Sequence, residues 1–284
     1  RSSQGGRHLI RLPEGAEPLR LAVDGRSLPV PAAGSAVELP LIPGAQRFQL
    51  DWREPAALAG LFRPASPDLG SPAVNLRLAV TLPGERWILF ASGPRLGPAV
   101  LFWGLLLILT GLAVALGRSR ITPLRTHDWF LLGVGLGLSE VWVGLVVAGW
   151  LFALGLRQRQ PAELKPWRFN LTQIGLVLLT LAALAALLGA VQQGLLGRPD
   201  MQIMGNGSYG NHLLWYQDRG GPGLPEVAVV SVPMWIYRGL MLGWSLWLAL
   251  RLLDWLRWGW HCFAQPQLWC ERRRATPAAT AAGS

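Results

Sequence analysis

Between Arg95 and Arg118 the chain carries no charged side chain. Pro98 to Gly117 fills most of that gap, and ~20 helical residues rising ~1.5 Å each span the ~30 Å of a bilayer's hydrocarbon core. Three further apolar runs follow. One covers residues 129–156 and is broken only by Ser139-Glu140; another covers 171–194. The last, 232–258, is the least pure, with Arg238 near its start and Arg251, Asp254 and Arg257 at its end. Backbone amides in lipid must be satisfied within their own segment, so all four runs, including 98–117, are expected to be helical. Pro233 is expected in the first turn of the last helix, where its missing N–H costs nothing. The chain reads as a polytopic membrane protein.

Composition excludes the main competitors. Residues of the apolar set make up 51% of the 284 and charged residues 15%, against about a quarter charged in soluble domains. With a mean hydropathy of +0.32, the chain is neither disordered nor wholly soluble. The formal charge of +10 and pI near 11.2 do not make a nucleic-acid binder, because the basic residues are spread thinly and not gathered on one face or tail. Two cysteines, Cys262 and Cys270, are too few for a disulfide framework or a four-ligand zinc site. The chain opens at Arg1 with no signal sequence, so export information for its first half is expected upstream.

Residues 1–96 have a different period. Phe48, Leu50 and Trp52 alternate with polar neighbours, as do Val74, Leu76, Leu78, Val80 and Leu82, the pattern of half-buried strands. Asp24-Gly25 suits a two-residue hairpin, whose central residues need positive φ. Pro43-Gly44 and Pro83-Gly84 are read as the turns of two more strand pairs. The expected architecture is an all-β, sandwich-like extracytoplasmic domain over 1–96, incomplete at its start. A membrane domain of four hydrophobic segments follows over 97–260, with an external loop at 197–231 and a cytoplasmic tail at 261–284.

The orientation follows from charge. Arg257 and the run Arg272-Arg273-Arg274 flank the last segment, whereas the 197–231 loop balances Arg198 and Arg219 against Asp200, Asp218 and Glu226. The positive-inside bias puts the tail in the cytoplasm and that loop outside. Loops 118–128 and 157–170 are both Arg-rich, yet a single crossing between them would separate them. Segment 129–156 is therefore expected to enter and return as a hairpin bent near Ser139-Glu140, with two half-depth arms; one long tilted helix is the competing reading. Gly133, Gly135 and Gly137 permit close helix packing. Trp235 and Trp255, ~30 Å apart along a helix, are expected to mark the two membrane interfaces.

Candidate functional residues are few. His8, His127, His212 and His261 are scattered, and no phosphate loop, nucleophile elbow or zinc-protease pattern is present, so no catalytic, cofactor or metal residue is assigned. Glu140 lies in an apolar run, where a carboxylate is costly unless paired, protonated or hydrated; a transport role competes with a plain hydrated turn. Arg238 either snorkels to the headgroups or anchors anionic lipid. The 197–231 loop is long, and its Asn206, Trp215, Tyr216 and Asp218 suit a sugar or peptide held by stacking and hydrogen bonds. The plainer account is that this loop docks on the β-domain.

The string Trp215-Tyr216-Gln217-Asp218, Leu224-Pro225, Ser231-Val232-Pro233, Tyr237-Arg238 and Trp255-Leu256-Arg257-Trp258-Gly259-Trp260 resembles the final segment of large, uncharacterised proteobacterial inner-membrane proteins. The β-then-helix order with Leu138-Ser139-Glu140 is also loosely similar to the inner-membrane protein CreD. The first resemblance covers about the last third of the chain and implies an envelope location and no particular activity. The expected function is that of a non-enzymatic structural or interaction subunit. Its partners would be the lipid bilayer and a periplasmic protein or polysaccharide, with no nucleic acid. The alternative is a transporter component using Glu140.

Overall fold

A computed structural model describes residues 4–30, 36–55, 59–137, 141–159, 166–197 and 199–265. Nine strands come first: β1 (Gly6–Arg11), β2 (Glu17–Val23), β3 (Arg26–Leu28), β4 (Ala36–Leu41), β5 (Phe48–Arg53), β6 (Leu61–Phe62), β7 (Ala73–Thr81), β8 (Arg86–Ser92) and β9 (Ala99–Val100). Four helices follow, α1 (Phe102–Arg118), α2 (Thr126–Gly137), α3 (Val141–Gln158) and α4 (Pro166–Leu196). The chain then returns to strands β10 (Ile203–Met204), β11 (His212–Gly220) and β12 (Ala228–Pro233) before α5 (Met234–Ala264). Two compact units result: 1–103 with 200–237, and 104–199 with 238–284.

The first unit corrects the expected boundaries. Residues 203–233 are not an irregular loop but three strands of the β-unit. β11 pairs antiparallel with β7, β12 with β6 and β8, and β10 with β9. Every one of these pairings joins residues before α1 to residues after α4. The signal was obscured because β11 places Leu213, Leu214, Trp215 and Tyr216 in succession, which hides a period of two.

Asp24-Gly25 forms the expected β2–β3 hairpin, with φ of 48° and 84°. The two Pro-Gly turns behave differently. Pro43-Gly44 connects β4 to β5 and Pro83-Gly84 connects β7 to β8, yet each turn joins strands of different sheets. These turns carry the chain across between sheets. Leu12, Leu21, Val37 and Leu39 form a buried cluster on which Phe48, Leu50 and Trp52 pack, as their alternation requires. Along β7 the alternation fails at one end: Asn75 has φ 55°, and Val74 is 67% exposed. A left-handed residue rotates the chain before it off the inner face, and Asn tolerates that conformation better than most.

At the β6–β12–β8 sheet, a register shift falls between Val230 and Ser231. Arg86 fills it: Nε donates to Ser231 Oγ (3.2 Å), while Nη2 donates to Ser231 O (2.9 Å) and Ala59 O (2.7 Å). Next to Arg86, Trp87 meets Phe102 and Tyr237 edge-on, with ring centroids 5.6 and 5.4 Å apart. The first turns of α1 and α5 thus belong to the β-unit. Pro233 closes β12 and does not open α5; the proline that opens a helix is Pro166, at the start of α4.

In the second unit, α3, α4 and α5 are long and apolar enough to cross a membrane, and α1 is a shorter apolar helix. Four full spans are therefore not recovered. Segment 129–156 is two helices that fold back on each other. The Trp129 and Phe152 rings stack 5.7 Å apart, and Arg159 Nη2 donates to Arg120 O at 2.5 Å. A single helix would hold Trp129 and Phe152 ~34 Å apart, so the one-tilted-helix reading fails. The arms are unequal, 12 and 18 residues, and α3 reaches spanning length, so it is no half-depth arm.

Glycine makes the close packing. A Cβ on Gly135 would fall 1.9 Å from Trp244 Cε2, and Trp244 Nε1 donates to Leu131 O at 2.9 Å. Trp150 is fully buried, and its Nε1 donates to Thr180 Oγ1 at 2.9 Å, joining α3 to α4. Trp255 is only 3% exposed and packs edge-on to Trp247. Trp247 belongs to the same helix, and the low exposure of Trp255 shows that its ring faces protein.

Two outcomes test this fold. A fusion of residues 4–101 to 200–233 through a Gly-Ser linker should give a sheet circular dichroism spectrum and a cooperative melt, whereas residues 4–96 alone should not. Equal cooperativity in the short fragment would show that β10–β12 are dispensable. Second, single cysteines at Ser119 and Gln158, in a Cys262→Ser, Cys270→Ser background, should label from the same side of sealed vesicles. Labelling from opposite sides is incompatible with the α2–α3 hairpin.

Candidate functional site

β11 separates its residues by parity. Leu213 and Trp215 are buried, at 0% and 2% exposure, while His212, Leu214, Tyr216 and Asp218 turn to the other face. The register sets Leu213 against Val80 and Trp215 against Leu78, so apolar meets apolar on the inner side. The indole of Trp215 lies in a slot that only glycine leaves open. A Cβ would fall 2.6 Å from Trp215 Nε1 at Gly93, and 2.4 Å from its Cδ1 at Gly97. Trp215 is a core residue, and the stacking role expected for it is corrected.

The outer face of β7–β11 gathers polar and aromatic groups. Tyr216 sits opposite Arg77 in register, and its hydroxyl donates to Asn75 Oδ1 at 2.8 Å. Hydrogen bonding to Asp218 is the main cause holding the phenol's pKa above its ordinary value, followed by desolvation and the charge of Asp218, with Arg77 opposing. The phenol is the neutral donor at neutral pH with or without this shift; the stability that the raised value contributes is present below the ordinary value and is lost as pH rises through the folded-state value. Further along, Thr81 Oγ1 and His212 Nδ1 lie 2.7 Å apart. Tyr209 is 68% exposed, with its ring 5.5 Å from that of His212. A row of Tyr209, His212 and Tyr216 results, flanked by Asn75, Arg77 and Asp218.

The turn before β11 supports this row. Gly205, Asn206 and Gly207 all have positive φ. Asn206 Nδ2 donates to Leu214 O at 3.1 Å, and Ser208 Oγ accepts from Leu214 N at 2.9 Å. Asn206 thus shapes the turn that presents Tyr209. Of the expected residues, Tyr216 and Asp218 share the face and Asn206 backs it.

Arg238 does not join them. It belongs to the helical unit, exposed in the second turn of α5, with no hydrogen bond or ion pair among the described residues. Glu140 lies outside the described residues.

Sequence reasoning passed over three residues of the helical unit. Asp128 Oδ2 accepts from Arg125 N at 3.0 Å, the side-chain half of a capping box at the start of α2. Its Oδ1 lies 3.3 Å from Arg251 Nε, an ion pair that ties α2 to α5. Arg157 is 3% exposed inside the bundle. Asp128 and Arg157 read as loop charges because both stand where an apolar run meets an Arg-rich loop; an acidic residue at the third position of a helix was the available signal for Asp128. No family model, curated protein or solved structure matches this chain.

Gly97→Ala should cost roughly 1–3 kcal/mol through overpacking against Trp215. A lowered midpoint in thermal unfolding, followed by tryptophan fluorescence, is the expected reading. An unchanged midpoint would show that the slot is not tight.

Proposed function

We propose that this chain is a multi-pass protein of the bacterial inner membrane and acts as a structural or interaction subunit. In this reading its periplasmic β-unit holds a polar polymer, a glycan strand, along the outer face of β7–β11. The supporting observation is the outward-facing group of exposed Tyr209 and half-buried His212 and Tyr216 with the exposed Asn75, Arg77 and Asp218 beside it. Tyr209 and His212 hold their rings 5.5 Å apart, and Tyr216 stands four residues further along β11, ~13 Å away, so aromatic and hydrogen-bonding groups are spread over a length that suits an extended ligand. Pyranose rings have apolar faces for tyrosine and equatorial hydroxyls for amide, carboxylate and guanidinium groups.

Parity supports the orientation. Hydrogen-bonded strands lie in one aqueous compartment, since sheet edges and loops are not tolerated in lipid. Residues 73–92 and 212–233 pair directly, so the helices between them make an even number of crossings. In the proposed topology α1 and α4 each cross once, while α2 and α3 enter and return. Arg118, Arg120, Arg125, Arg157, Arg159 and Arg168 then share one side, and the positive-inside bias makes that side the cytoplasm. The sandwich-like reading of 1–96 is supported by the cluster that β1–β4 and β3–β2–β5 share.

Binding of the full chain in nanodiscs to purified peptidoglycan sacculi tests the proposal. Tyr209→Ala with Tyr216→Ala should weaken co-sedimentation about tenfold, given roughly 0.5–1.5 kcal/mol per aromatic contact. A double variant that binds as tightly as the parent removes this face from consideration.

A further inference from the structure

The β6–β12–β8 sheet buries Val229 and Ser231 on one face and carries two unlike rows on the other. The register sets Val230 opposite both Leu61 and Phe90, so these three side chains stand abreast. Leu61 is 46% and Phe90 53% exposed, and Val230 between them is half-buried. Two residues back along β12, ~7 Å away, Ala228 lies opposite Ser92. Arg63 follows Phe62, the partner of Val229, and so comes beside Ala228 from the other flank. The alternation of exposure continues back to Glu226, which is exposed, with Val227 buried between. Along one line the surface therefore offers an apolar row, a guanidinium and a carboxylate.

The charged end of that line is concave. Arg63, Ser92, Glu226 and Ala228 border an open depression of about 510 Å³, and the single methyl of Ala228 leaves room between Arg63 and Ser92. Both charges are exposed, and neither makes an ion pair or a hydrogen bond among the described residues. The residues of this unit outside the description, 1–3, 31–35 and 56–58, include no acid that could neutralise Arg63. Two opposite charges that share a depression without closing on each other leave both to a ligand of complementary charge.

We infer that this face docks an extended peptide segment of a partner protein, with an apolar, an acidic and a basic side chain at alternate positions. Alternate side chains of an extended chain recur every ~7 Å, the spacing of the rows along β12. Such a segment laid over the face seats its side chains on the apolar row, on Arg63 and on Glu226 in turn. Hydrocarbon would leave both charges unanswered, and an anionic headgroup would meet Glu226 as well as Arg63. The face belongs to a different sheet from β7–β11, so the peptide site is independent of the glycan reading.

Fluorescence polarisation with the full chain in nanodiscs tests the site. The probes are two labelled, end-blocked peptides of identical composition, Leu-Ser-Glu-Ser-Lys and Leu-Ser-Lys-Ser-Glu. The first should bind about tenfold tighter, since the second sets like charges against both Arg63 and Glu226. Arg63→Glu combined with Glu226→Arg should reverse that preference, a result that a general loss of fold cannot produce. Phe90→Ser should weaken binding of both peptides, whereas Tyr209→Ala with Tyr216→Ala should leave both unchanged. Equal binding of the two peptides, binding of neither, or a preference that survives the charge reversal overturns the site. So does a dimer of the wild-type chain that Phe90→Ser dissociates, which would assign the face to a second copy.

Discussion

Pairing of β7 and β8 with β11 and β12 is the constraint on which the rest of the chain depends. The partners are separated in sequence by the whole α1–α4 stretch, so closing the sheets fixes both ends of that stretch to one body. Loop-closure entropy grows only slowly with length, and backbone hydrogen bonding along a nine-residue strand such as β11 repays it. Two consequences follow. The β7–β11 and β6–β12–β8 sheets form only after α4 has been made, since strands from both halves are needed. The intervening helices must also bring the chain back to the body it left, and the α2–α3 fold-back, read from the stacking of Trp129 on Phe152, is part of that return.

Much of this was legible in residue order because two periods differ so sharply. Alternation marked β5 and β7, Asp24-Gly25 marked the β2–β3 hairpin, and charge-free runs marked the helices. The conflict between two Arg-rich loops pointed to a fold-back near Ser139-Glu140, and α2 and α3 do fold back on each other, with Trp129 stacked on Phe152; Ser139 and Glu140 themselves lie outside the described residues. What stayed hidden was non-local. Pro43-Gly44 and Pro83-Gly84 look like hairpin turns, but whether a turn joins neighbours in one sheet depends on partners far away in sequence. β12 straddles the expected join between the external loop, which ends at 231, and the last apolar run, which begins at 232, and only its pairing with β8 makes it a strand.

The candidate site shows the same division. Tyr216 and Asp218 were singled out by residue type, and the structure sets them beside Asn75 and Arg77, which no local pattern connects to them. Trp215 was singled out for the same reason and proves to be core, because strand parity places it opposite Tyr216 and two glycines leave a slot for its ring. Residue chemistry nominates candidates; parity decides which of them faces outward.

Tryptophan and glycine recur together for a related reason. The slots at Gly93 and Gly97 in the β-unit and at Gly135 in the helical unit each admit an indole where a Cβ would collide. In the buried cases the indole N–H also needs an acceptor: Trp244 finds Leu131 O and Trp150 finds Thr180 Oγ1. Such pairings are directional as well as close, which apolar contact between helices in lipid is not. They fix the rotation of α2 against α5 and of α3 against α4, while α1 is held by Trp103, whose Nε1 donates to Leu89 O at 2.9 Å, and by Leu109 against Gly133 and Gly137 of α2. Its first residue also meets Trp87 edge-on, so α1 is secured at its root by aromatic rings and along its length by the glycines of α2.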